Sequence, residues 1–232
     1  DASICDLYWG DEVDLVPTGA AGQRIKALEH GGKVRREGLV KPAARFRDTA
    51  LLRLSMIDVQ QGDGLILDTP GRKTVFIDGG DNKLFARHAA FRFRGTTAAD
   101  PLKVDLLLVT HGDADHFEGL NILQGTETED GIDERQRLFI APVRYYHNGM
   151  VKRPGKKPDG KTRKDLEMLG ATTEVDGVPF VTGLVDDPAD VPEVERNKHF
   201  KSWVEALETW DARTTALTGA PTLVANLLVA RV

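Results

Sequence analysis

The sequence predicts an α/β layered domain preceded by a small β-rich segment, and three observations predict it. Residues 104–110, apolar apart from Asp105 and the closing Thr110, read as a strand buried on both faces. Runs with strand periodicity are followed by stretches with helical spacing, and this alternation repeats along the chain. The composition is 41% hydrophobic and 29% charged over 232 residues, enough apolar material to bury one sizeable core.

Residues 1–48 hold short β-like pieces at 4–9, 12–16, 23–28 and 33–40, separated by Gly and Pro turns. They are either a small SH3-like barrel, from the Trp9-Gly10-Asp11-Glu12-Val13 and Gly38-Leu39-Val40 segments, or an N-terminal strand extension. Residues 49–232 form the main domain. Its opening, at 50–59, 64–68 and 74–78, reads as a β-meander turning at Pro70-Gly71. A helix is expected at 83–94, with Asp81 or Asn82 as its cap. After the 104–110 strand, a second helix starts at Asp115 or His116 and runs toward Gln124. Residues 138–143 read as another buried strand, 162–169 and 198–210 as helices, and 222–232 as a last strand.

The net charge of −5 excludes a chain that attracts nucleic acid over its whole surface, so a polyanion would need a local patch. Residues 151–164 offer one: Lys152, Arg153, Lys156, Lys157, Lys161, Arg163 and Lys164 against Asp159. This stretch is either a mobile solvated loop or a phosphate-contacting surface, in which Lys156, Lys157 and Lys161 are the candidate contacts. The sole cysteine, Cys5, precludes an intrachain disulfide and agrees with a cytoplasmic location. No apolar run is long enough to span a bilayer, and no signal-peptide pattern is present.

His111, Asp113, Asp115 and His116 lie within six residues, directly after the 104–110 strand. Open α/β sheets gather their ligand sites at such strand ends. Imidazole with carboxylate suits zinc, manganese or iron. Ligands pointing different ways round one turn can serve two ions, His111 and Asp113 facing one, Asp115 and His116 the other. Two metals about 3.5–4 Å apart can share a bridging hydroxide and clamp a reacting phosphoryl or carbonyl group. Water on zinc has a pKa near ~7, which gives a nucleophile at neutral pH. Asp115 is the candidate catalytic carboxylate. The plainer alternative is a polar turn in which Asp115 caps the helix and His116 sits in its first turn.

Thr110-His111-Gly112-Asp113-Ala114-Asp115-His116, followed by Phe117-Glu118-Gly119-Leu120, resembles the signature of the metallo-β-lactamase superfamily. It is most similar to the domain attached to bacterial DNA-uptake competence channels, which also has Asp at the position of Asp113. Two further segments carry the resemblance: Asp58-Val59-Gln60-Gln61-Gly62-Asp63, with Gln60 where the family has glycine, and Ile77-Asp78-Gly79-Gly80. It covers residues 55–143. It implies an αββα sandwich, one or two zinc ions or manganese, and Asp63 and Asp78 bracing the metal loop by hydrogen bonds. The family's second half brings a histidine or equivalent, a bridging aspartate in Leu-Thr-Gly-Asp and a final histidine, often in His-His-Gly-Ser; neither segment occurs in this sequence, which after His116 has only His147 and His199. His147 is a candidate third ligand or substrate contact from a loop over the site, and His199 a packing or capping residue.

The function expected is metal-dependent hydrolysis, first of phosphodiester bonds as in a nuclease or phosphodiesterase. Hydrolysis of a lactone, thioester or β-lactam is the alternative, and a non-catalytic binding fragment the third reading. The partners expected are nucleic acid or a small phosphodiester. The missing C-terminal half is expected on the same longer protein, on a second chain, or replaced by a self-associating surface.

Overall fold

The computed structural model describes residues 11–17, 23–28, 34–41, 43–168 and 170–226. The chain divides into two compact units, Asp1–Arg53 with Asp68–Lys73, and Leu54–Leu67 with Thr74–Val232. In the first unit, β1 (Val13–Val16), β2 (Gln23–Leu28) and β3 (Val34–Val40) form an antiparallel sheet in chain order. Ile25 and Ala27 of β2 point inward. Arg53 and Arg72 pair with Asp11 at 3.5 Å and Glu12 at 3.6 Å. The β-like piece expected at 4–9 lies outside the described residues.

The second unit is a mixed α/β domain. Its main sheet begins with β4 (Arg53–Met56), β5 (Leu65–Asp68) and β6 (Thr74–Ile77), neighbours in chain order as a meander requires. Helix α1 (Lys83–Arg92) follows. Of its two candidate caps, Asn82 serves: its Oδ1 accepts from Leu84 N at 2.8 Å and its Nδ2 donates to the Val59 carbonyl at 2.6 Å.

The run expected as one strand at 104–110 is two. β7 (Leu102–Val104) and β8 (Leu106–Leu108) are separated by Asp105, and they enter different sheets. Asp105 makes the break by bonding to Thr74, accepting from its amide on Oδ2 at 3.0 Å and donating its own N–H to the Thr74 carbonyl at 2.8 Å. Only one face of β8 is fully buried: Leu107 is inside, whereas Leu106 and Leu108 are half-buried.

Helix α2 (Ala114–Gly125) leads to β9 (Ile140–Pro142), which pairs in parallel with β7. β10 (Arg144–His147) then joins the main sheet beside β8. Two hairpins intervene, β11 (Val151–Lys152) with β12 (Glu167–Met168) and β13 (Thr172–Val175) with β14 (Val178–Val181). The helix expected at 162–169 is therefore a correction. Lys156 bridges to Thr162, Met168 pairs with Val151, and buried Arg163 is fixed by Glu195 rather than by a helical neighbour. That stretch carries too few apolar residues to make a buried helical stripe, so hairpin pairing prevails. Helix α3 (Lys198–Thr218) outruns its expected end at 210 and stops at Gly219 with φ 75°. β15 (Leu223–Asn226) closes the sheet, and 227–232 lie outside the described residues.

The strand order is β15-β10-β8-β6-β5-β4, and β6, β8, β10 and β15 are mutually parallel. Each crossover from β6 through α1, α2 and α3 moves one place in the same direction. Right-handed crossovers in a single direction put all three helices on one face, and α1 packs on α2 and α2 on α3. Beneath them lies the core: Phe76 meets Phe85 edge-on at 5.4 Å, Phe117 meets Phe200 at 5.0 Å, and Trp203 Nε1 donates to the Tyr145 hydroxyl at 3.0 Å. Glu127, near the end of α2, is buried with Arg213 of α3, which both its oxygens engage, and accepts from Trp210 Nε1 at 3.2 Å. On the opposite face Val75, Ile77, Leu106, Leu108 and Tyr146 are half-buried. Among the described residues no helix is long and apolar enough to cross a membrane.

Candidate metal centre

The parallel strands end on the same side, and their last residues and following loops carry the polar side chains. β6 leads into Asp78, β8 leads through Val109 into Thr110 and His111, and β10 ends in His147. This is the strand-end position at which α/β sheets bind ligands.

Asp78 is the anchor. It is buried, with φ at 54°, a left-handed conformation that costs an L-residue about 1–2 kcal/mol. Its Oδ1 accepts from Thr110 N at 2.8 Å, and its Oδ2 from the Thr110 hydroxyl at 2.6 Å. His116 Nδ1 lies 2.9 Å from the same Oδ2. A carboxylate only accepts, so Nδ1 carries a proton, and in the neutral ring Nε2 offers its lone pair to a ligand.

The first turn of α2 is seated on the end of β6 by two backbone bonds. Gly79 N donates to the His116 carbonyl at 2.6 Å, and Gly119 N donates to the Gly80 carbonyl at 2.8 Å. The 58–63 loop is pressed onto the same turn. A Cβ at Gly62 would lie 1.7 Å from the Asp115 carbonyl oxygen, and the φ of Gly62 is +80°. Gln60 has φ 67° and donates its amide to Asp58 Oδ1 at 3.1 Å, so a non-glycine holds a left-handed conformation here with the help of Asp58.

Asp63, at the end of that loop, is exposed. Its carboxylate, that of Asp78 and a ring nitrogen of His116 all lie within 4.8 Å of one another, and this group could hold a metal ion. Asp78 already has both oxygens engaged, so it holds His116 in place, and Asp63 is the carboxylate with capacity to spare. His111 and His116 rings lie 3.7 Å apart between centroids. His111 Nε2 is 3.7 Å from Asp113 Oδ2. Asp113, rather than Asp115, is the N-cap residue of α2, but its side chain makes no capping bond. The Lys152 ammonium, with Nζ 2.8 Å from Asp113 Oδ1, holds the Asp113 carboxyl below the usual carboxylate range. Asp115 is half-buried in the first turn.

His147 does not overhang the site from a loop. It is buried at the end of β10, accepts from Gly149 N on Nδ1 at 2.9 Å, and donates from Nε2 to the Asp186 carbonyl at 2.7 Å. Both ring nitrogens are thus in use, which leaves none for an ion or substrate. His199 Nδ1 lies 2.9 Å from Glu118 Oε2, near the start of α3. Lys156 and Lys157 are exposed near the tip of the β11–β12 hairpin, and Lys161, also exposed, pairs with Asp159 at 3.1 Å. Two contributors were not singled out from sequence. Thr110 could have been, because it immediately precedes the histidine motif. Lys152 carries no local signal, since its contact with Asp113 is made by tertiary structure.

No protein-family model, curated protein or solved structure matches the chain.

Proposed function

We propose that the chain is a metal-dependent hydrolase with a metallo-β-lactamase-type site, acting on phosphodiester bonds. The observation that carries this reading is convergence. Three segments far apart in sequence bring Asp63, Asp78 and His116 to one strand-end cluster, and the His111 ring lies 3.7 Å from that of His116. A structural polar turn needs a cap; it does not need buried Asp78 spent on orienting a histidine whose second nitrogen is left over.

His111, Asp113, Asp115 and His116 would hold the metal, with Asp63 in reach, and the mixed nitrogen and oxygen donors suit one or two zinc ions or manganese. A divalent ion held there would supply a Lewis acid for the phosphoryl oxygen and a water acidic enough to serve as nucleophile near neutral pH. The chain's own residues do the rest. Asp78 and Thr110 fix the His116 ring, and the seam between α2 and β6 fixes the loop. Exposed Lys156 and Lys157 are free to meet the phosphates of a polyanionic substrate. Among the described residues, one helix layer over one sheet agrees with half of an αββα sandwich.

The test is to purify the chain, load it with zinc or manganese, and assay DNA, RNA and a bis-phosphodiester beside a lactone and a thioester. Phosphodiester turnover with stoichiometric metal supports the proposal. Turnover of the carbonyl substrates alone moves the reading to the second class, and tight metal without turnover moves it to a binding module. Neutralising Lys156, Lys157 and Lys161 should weaken nucleic-acid binding and flatten its salt dependence.

A further inference from the structure

We infer that Lys152, braced by Glu167, is a positioning residue that turns the Asp113 carboxylate so that its second oxygen and His111 Nε2 face one cation. The inference rests on the metal-site reading above. Lys152 Nζ lies 2.8 Å from Asp113 Oδ1 and 2.5 Å from Glu167 Oε1. That leaves Asp113 Oδ2 toward His111, 3.7 Å from its Nε2. Two donors each about 2.0–2.2 Å from a shared ion stand roughly 3–4 Å apart, so this gap has the width of a half-site.

Among the described residues Lys152 is the nearest ion-pair partner of Asp113, at 2.8 Å against 3.7 Å for His111. Asp113 caps α2 by position, but its side chain makes no bond to the helix. Lys152, by contrast, is mounted on rigid backbone. Val151 beside it is fully buried, and the Lys152 carbonyl accepts from Asn197 N at 2.9 Å. The Lys152 side chain is 23% exposed. The strand bearing it is also seated on the metal loop itself, since a Cβ at Gly112 would lie 2.5 Å from the Met150 carbonyl oxygen.

Charge distinguishes this arrangement from a lysine that would repel the ion. The ammonium alone would oppose a divalent cation. Glu167 offsets it, so Asp113, Lys152 and Glu167 together carry one negative charge, as Asp113 alone would. Lys152 can therefore orient the ligand without neutralising it.

The experiment is calorimetric titration of the full chain with cobalt(II) and zinc, comparing wild type with Lys152→Met, Lys152→Arg and Glu167→Gln. Outer partners of metal ligands contribute about 10- to 100-fold in affinity. Lys152→Met should lose about tenfold or more, with a changed cobalt absorption band, and Lys152→Arg should recover most of the loss. Glu167 is largely exposed, so Glu167→Gln keeps the fold and should weaken binding by a smaller factor. Cobalt and zinc affinities of Lys152→Met and Glu167→Gln within about twofold of wild type overturn this inference and leave the proposed function standing. A wild-type chain that takes up no metal overturns both.

Discussion

Asp78 Oδ2 and His116 Nδ1, 2.9 Å apart, join the end of β6 to the first turn of α2 through a buried hydrogen bond. Asp78→Ala strands the Thr110 amide and the His116 ring without their acceptor. Leaving a buried donor unpaired costs about 1–3 kcal/mol, and losing an orienting partner costs about 10- to 100-fold in metal affinity. Urea unfolding and metal titration of the same variant should show both losses. A variant with unchanged metal affinity would mean that His116 is held by packing alone.

Asp63 separates ligation from stability, because it is exposed. Asp63→Asn should weaken metal binding while leaving the melting temperature of the metal-free chain where it was. In the same titration, His116→Ala and Asp115→Ala should act at one ion and His111→Ala at the other. Identical losses at a single ion from all three alanine variants would remove the two-ion division.

Two neighbouring substitutions should move stability in opposite directions. Gln60 sits at φ 67°, so Gln60→Gly relieves a strain of about 1 kcal/mol and should raise the urea midpoint. Gly62→Ala forces a methyl group onto the Asp115 carbonyl at φ +80° and should lower it by about 1–3 kcal/mol or more. The reverse pattern would show that the 58–63 loop is not seated on α2.

His147 makes stability pH-dependent. Burial holds its pKa below the ordinary 6.5, so it is neutral in the fold. As pH falls through about 6.5, the unfolded chain binds a proton that the folded chain refuses, and the unfolded state gains. This contribution is therefore complete above that pH and is lost below it, toward the depressed folded value. Denaturant midpoints at about pH 7.5 and 5.5 should differ more for wild type than for His147→Gln. Equal differences would mean that the ring titrates freely.

Much of this was legible in the sequence because it is local. The α1 and α2 helices, the meander strands and the 111–116 cluster depend on spacing within a few residues. The break at Asp105 shows in the sequence only as a charge within an apolar run; that it divides two sheets depends on a partner, Thr74, in another strand. The strand at Arg144–His147 was hidden behind a turn-like Asn148-Gly149 pair. The hairpin that replaces the helix expected at 162–169 was not legible either, since partners such as Glu195 for Arg163 are supplied by a later segment. Lys152 was read as part of a basic run, whereas folding puts it on an acid of the candidate site.

The Gly79 and Gly119 amides, bonded across the seam between β6 and α2, would exchange their hydrogens only when the helix leaves the sheet. That departure also exposes Leu120 and Phe117, which are buried in the core, so opening the motif loop costs nearly as much as unfolding the domain. The cluster therefore meets its ligand already assembled. Capture should follow a single exponential whose rate rises linearly with ligand concentration, with no slow rearrangement after encounter.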